Sequence, residues 1–173
     1  SSVTDLKAGL SMTAGSRFVD VELAMSNPLE EVAVGIVRHP NTVLLRGDTD
    51  VPFRTWTYVA SFGEQSLFGD ALGMAILFRR TNLVEQTEDQ HNYVTLLGPR
   101  NGSLHYAFAA FWAGEENGVS TADELRQALE REVERRNLEP RVRLSTVHSA
   151  ELADAPLTVE LVLDVSLRVA RSV

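Results

Sequence analysis

The run Glu88-Asp89-Gln90-His91-Asn92-Tyr93-Val94 holds, in one short stretch, residue types that move protons. If a strand begins at Tyr93, its period of two puts His91 and Tyr93 on one side and Asn92 on the other. A histidine exchanges protons near neutral pH, and an adjacent tyrosine can share that work. The same spacing also describes a loop histidine beside a tyrosine that only packs. Arg38-His39-Pro40, at the end of an apolar alternation, offers a guanidinium matched to a carboxylate, or simply an exposed strand end. Trp56 and Trp112, with Tyr58, Tyr106 and Phe111, offer flat faces suited to sugar rings, or ordinary core packing. Glu64, Asp70, Glu88, Asp89, Glu115 and Glu116 are the carboxylates from which a glycoside hydrolase would need a facing pair. For Glu115-Glu116 a solvated surface is the plainer reading.

Several chemistries are disfavoured. The chain has no cysteine, which removes disulfides, thiolate metal sites and cysteine nucleophiles. No two histidines stand at a helical or strand ligand spacing, so no metal is expected. Gly-rich phosphate loops and serine nucleophile elbows are absent, and no cofactor is expected. The net charge of −8 opposes nucleic acid, because phosphates would be repelled. Lys7 is the only lysine, and the other basic residues are arginines. No run approaches the roughly 18 apolar residues of a membrane span, so no membrane partner is expected. Ser1-Ser2-Val3 opens without a basic or apolar leader, so no signal peptide is expected in this stretch.

The elements that must position these residues are mostly strands. At 173 residues the default is one domain, 1–173, large enough to bury its own core. Residues 4–13 alternate, Ala14-Gly15-Ser16 turns, and 17–25 alternates again, which is a hairpin. Residues 31–38, 42–46, 54–60, 72–78, 104–112, 141–147 and 157–169 read as further strands, with another starting at Tyr93. The mixed character of 104–112 predicts a strand covered on both faces. The segment 61–70 fits no period and reads as a loop with buried anchors. Thr121-Ala122-Asp123-Glu124 is a capping box opening a helix whose stripe is Leu125, Leu129 and Val133. Its Glu and Arg residues read as a solvated face with short-range pairs. The predicted fold is all-β: an antiparallel two-layer β-sandwich, supersandwich-like, with one amphipathic helix near 121–137.

The ordered motifs Ala14-Gly15-Ser16-Arg17-Phe18, Gly35-Ile36-Val37-Arg38-His39, Thr55-Trp56 and Leu72-Gly73-Met74-Ala75-Ile76 are followed by the 88–93 run. Then come Tyr106-Ala107-Phe108-Ala109-Ala110-Phe111-Trp112 and a helix ending at Pro140. Together, over about residues 5–140, they resemble the carboxyl-terminal half of an uncharacterised bacterial domain family. That family is found beside enzymes degrading acidic polysaccharides such as pectin and ulvan. The resemblance implies a uronate-containing oligo- or polysaccharide as partner, a periplasmic or secreted setting, and a lyase or a hydrolase-associated module. In a lyase, His91 and Tyr93 would be base and acid, and Asn92 or Arg38 would meet the carboxylate. Trp56 and Trp112 would hold neighbouring rings, with His39 and Glu64 as further substrate contacts. The alternatives are a non-catalytic carbohydrate-binding sandwich and a structural module that depends on a partner. Self-association or a missing amino-terminal half would supply that partner, and the apolar alternation at 157–169 favours this last reading.

Overall fold

The computed structural model describes residues 4–48 and 54–138. Its compact unit ends at Asn137. The strands expected at 141–147 and 157–169 lie outside the described residues. The strands are β1 (Leu6–Met12), β2 (Phe18–Met25), β3 (Val32–Val37), β4 (Thr42–Arg46), β5 (Trp56–Glu64), β6 (Ala71–Arg79), β7 (Leu83–Glu88), β8 (Asn92–Leu97) and β9 (Ser103–Trp112). A short 3₁₀ turn, Arg80–Asn82, precedes β7, and the helix α1 spans Ala122–Asn137.

The strands form a six-stranded sheet, β1-β2-β9-β6-β5-β4, and a three-stranded sheet, β3-β8-β7. Every pairing among the described residues is antiparallel. The all-β sandwich with one helix is therefore what the chain builds. Alternation decides which face each residue takes. Val21, Leu23, Val59, Ile76, Phe78 and Leu104 meet Val34, Ile36 and Leu97 of the smaller sheet in one buried cluster. Residues of the opposite parity, among them Tyr58, Ala60, Ala75, Leu77, Ala107, Ala109 and Phe111, pack under Leu125, Leu129 and Val133 of α1. The large sheet is thus covered by the small sheet on one side and the helix on the other. Strand β9 is covered on its helix side, but on the sandwich side Phe108 and Trp112 remain 41% exposed.

Helix α1 opens as its sequence dictates. The Thr121 hydroxyl accepts from the Glu124 N–H at 3.2 Å, and the Glu124 carboxylate accepts from the Thr121 N–H at 3.2 Å. It lies close to β6 because Gly73 has no side chain there; a Cβ would sit 2.8 Å from a Leu125 methyl. Leu125, Leu129 and Val133 are fully buried, each contributing about 1.5–3 kcal/mol of apolar burial.

Two expectations need correction. The 61–70 segment is not all loop, since β5 continues to Glu64 and pairs there with Ala71. Strand β7 was absent from the pattern. Its LVEQTE sequence is polar, it lies at a sheet edge, and a register shift between Leu83 and Glu85 breaks its alternation. Among the described residues, no helix is long and apolar enough to cross a membrane.

Candidate functional site

The 88–94 run spans the β7–β8 hairpin turn, from the last residue of β7 to the third of β8. Asp89 organises it: one carboxylate oxygen accepts the N–H groups of His91 and Asn92, each at 2.7 Å. These backbone donors, first that of His91, and the Asn92 amide hold the Asp89 carboxyl below its usual range. Tyr93 lies opposite Ile36 and Glu88 and packs against the sandwich core, which is the packing role open to it in sequence. His91 is exposed. Arg38 joins this corner: its N–H donates to the His91 carbonyl at 2.7 Å, and its guanidinium lies 3.4 Å from Glu88 and 5.9 Å over the Tyr93 ring. His39 is exposed, with Nδ1 2.9 Å from the Pro40 carbonyl oxygen. The structure therefore gathers Arg38, Glu88, His91, Asn92 and Tyr93 at one corner of the small sheet.

The tryptophans do not join them, nor each other. Trp56 pairs with Arg79 and Trp112 with Leu72, at opposite ends of β6 and roughly 23 Å apart along the strand. They also point to opposite faces of the large sheet. Trp56 is 3% exposed and cannot offer a face to a sugar, which corrects the expectation of paired platforms. Its ring instead carries two guanidinium groups, Arg136 at 4.8 Å and Arg79 at 5.2 Å. The Trp112 indole N–H donates to Asp70 at 2.6 Å, and Asp70 also receives the Ser66 hydroxyl, so this pair anchors the β5–β6 loop. Glu64 closes β5 at that same end, exposed and away from the hairpin.

The densest arrangement of charged groups is on the helix side. Arg136, whose side chain is 4% exposed, donates to both carboxylate oxygens of Asp20 at 2.6 and 3.1 Å and to Glu132 at 2.7 Å. Its guanidinium also lies 5.9 Å from the Phe18 ring. Arg135 grips Glu132 from outside, with both bonds at 2.8 Å. Asp20 has a further partner, His105, whose Nε2 is 3.1 Å from Oδ1. The His105 ring meets Trp56 edge-on, with centroids 5.3 Å apart. Burial alone would raise the Asp20 carboxyl, but hydrogen bonds and charge from Arg136, then from His105, hold it below its usual range. Glu132 is lowered likewise: burial opposes, and Arg135 and Arg136 outweigh it.

The helix face read as wholly solvated is thus partly buried. Glu132 and Arg136 face the sheet because positions three and four apart share a side with Leu129 and Val133. Sequence reasoning missed Asp20 and Arg136 because they are 116 residues apart. The available signal was His105, a lone imidazole in the apolar set Ala107, Ala109 and Phe111.

Beside this network a cleft of ≈ 480 Å³ opens between the β1–β2 turn and α1. Thr13 to Phe18 form one wall, Ala128, Arg131, Glu132 and Arg135 the other, and Asp20 and Phe111 line it from the sheet. Arg17 is fixed at its rim by Glu115 at 2.9 Å and by the carbonyl oxygens of Glu116 and Asn117. Arg131 has no hydrogen bond or ion pair to any described residue. Three guanidinium groups and a half-buried phenyl ring around one recess suit an anion that also has an apolar face. No group of His, Asp and Glu among the described residues could hold a metal ion.

An all-β sandwich with an arginine-lined cleft beside α1 defines the kind of domain. The model of one family, a domain of unknown function (DUF4861), matches residues 1–142, and the chain belongs to that family. No curated protein matches the chain, and no solved structure does.

Proposed function

We propose that this domain binds a uronate-containing oligo- or polysaccharide in the cleft beside α1, with Arg131 as the principal carboxylate partner. The observation that carries the reading is an arginine without a described partner, lining a recess between two other arginines. Arg17 and Arg135 already have carboxylates to hold them, so they arrive oriented. A sugar acid presents one planar anion and one apolar ring face, and the half-buried Phe18 beside the guanidinium groups complements both. The resemblance to domains found beside acidic-polysaccharide-degrading enzymes points to the same ligand class.

Calorimetric titration with oligogalacturonate, oligoalginate and a neutral oligosaccharide of equal length tests the reading. Heat and saturation are expected with the acidic chains only. Equal binding of the neutral chain, or none of the acidic ones, contradicts it.

A further inference from the structure

We propose that the open part of the large sheet's sandwich face is the contact between two copies of this chain, joined as a two-fold dimer. The small sheet covers the large one only in part. Strand β7 reaches β4, where Arg46 donates to Gln86 at 3.0 Å, and Val34 and Ile36 of β3 share a buried cluster with Ile76 and Phe78 of β6. The large sheet runs on past β3 through β9, β2 and β1, and a groove of ≈ 420 Å³ opens between β3 and the strands β6 and β9. Strand β1 shows what is missing. Its Leu6, Ala8, Leu10 and Met12 stand across from Met25, Leu23, Val21 and Val19, and so share the sandwich face. Such alternation marks a strand with one buried face, yet every residue of β1 is exposed, Leu6, Leu10 and Met12 by 56–65%. Phe108 and Trp112 continue the patch on β9. Lys7, Asp20 and Glu22 all take the opposite face, so no charge interrupts it on β1 or β2.

A second copy fits this face in a way that follows from strand order. Among the described residues, β1 ends the large sheet and β3 ends the small one, and neither edge carries a proline. When β1 of the second copy lies beside β3, its own apolar face comes to rest on this one. The two-fold axis makes the reverse contact identical. Each layer of the dimer then runs β7-β8-β3 from one copy and β1-β2-β9-β6-β5-β4 from the other, with both open edges closed. The face measures roughly 14 Å across three strands and roughly 23 Å along seven residues. With side-chain relief and the two closed edges, it approaches the ~800 Å² per partner of a stable interface. The α1 cleft opens on the other face of the sheet, so saccharide binding and pairing are independent.

Sedimentation equilibrium of the full chain tests the pairing. The 19.1 kDa parent should sediment with twice its mass at micromolar concentration. Leu10→Glu buries a carboxylate in the contact and should weaken the dimer about 100-fold or more. Ser11→Glu, one residue along the same exposed strand but on its other face, should leave the dimer intact. Amide hydrogen exchange in β1 and β3 of the parent should slow as the dimer forms. A monomeric parent overturns the proposal, whether its patch is then bare or covered from within the same chain. A dimer that survives Leu10→Glu, one that Ser11→Glu weakens as much, or exchange in β1 and β3 that ignores concentration overturns it too.

Discussion

Arg136 gathers two carboxylates, two aromatic rings and, through Asp20, the imidazole of His105. Replacing it with methionine keeps much of its bulk but strands Asp20 and Glu132. The expected cost is roughly 3 kcal/mol, the low end for a broken buried pair because Asp20 is one-third exposed. Urea unfolding of Arg136→Met would show it as a lower midpoint. The sign of the pH dependence follows from the same contacts. Asp20 and Glu132 both have carboxyls lowered on folding, so their contribution is present above the unfolded values of 3.8 and 4.5 and is lost as pH falls through the folded ones. Asp20→Asn with Glu132→Gln should be less stable near neutrality and should lose less on acidification than the parent, measured by urea midpoints at about pH 7 and about pH 3. Thr57 offers the opposite case. Its hydroxyl is buried with no hydrogen-bond partner among the described residues, so Thr57→Val should be neutral or stabilising by up to about 1 kcal/mol. A loss of more than that would mean the hydroxyl has a partner in solution.

At the scale of elements, α1 and β6 depend on one close approach. Gly73→Ala places a methyl against Leu125 and should cost about 1–3 kcal/mol by overpacking. Leu129→Ala, at the fully buried centre of the helix stripe, should cost about 2–5 kcal/mol. Thermal unfolding of the two variants gives the comparison, and a Leu129→Ala loss smaller than that of an exposed-site control would contradict the packing. The helix itself was legible in sequence, because its cap, its stripe and its Asn137 end are all local signals. So were the β1–β2 hairpin and the strand at 104–112, whose alternation survives intact. Strand β7 was not, since an edge strand needs no apolar face and its bulge breaks the period. The site was largely illegible for a different reason. His91-Asn92-Tyr93 stood out as adjacent letters, yet their placement follows from the Asp89 turn and the core contact of Tyr93. Asp20, His105 and Arg136 look ordinary in their own segments and acquire meaning only when two strands and a helix bring them together.

Across the whole molecule, the large sheet separates two polar corners: the hairpin with Arg38 and His91 on the small-sheet side, and the arginine cleft on the helix side. The net charge of −8 repels a polyanion at long range. Binding of an acidic saccharide must therefore come from the local arrangement of Arg17, Arg131 and Arg135, within the ~8 Å over which charge acts at physiological salt. Removing His91 should leave such binding unchanged, and removing a cleft arginine should not. The most direct measurement is titration calorimetry of oligogalacturonate into the parent, Arg131→Ala, and Arg46→Ala as an exposed-arginine control from β4. Arg131→Ala should bind about tenfold more weakly, the loss of one charge-assisted contact of roughly 1.4 kcal/mol, while Arg46→Ala binds as the parent does. Equal affinity in Arg131→Ala and the parent, or an equal loss in both variants, would contradict a carboxylate site in the α1 cleft.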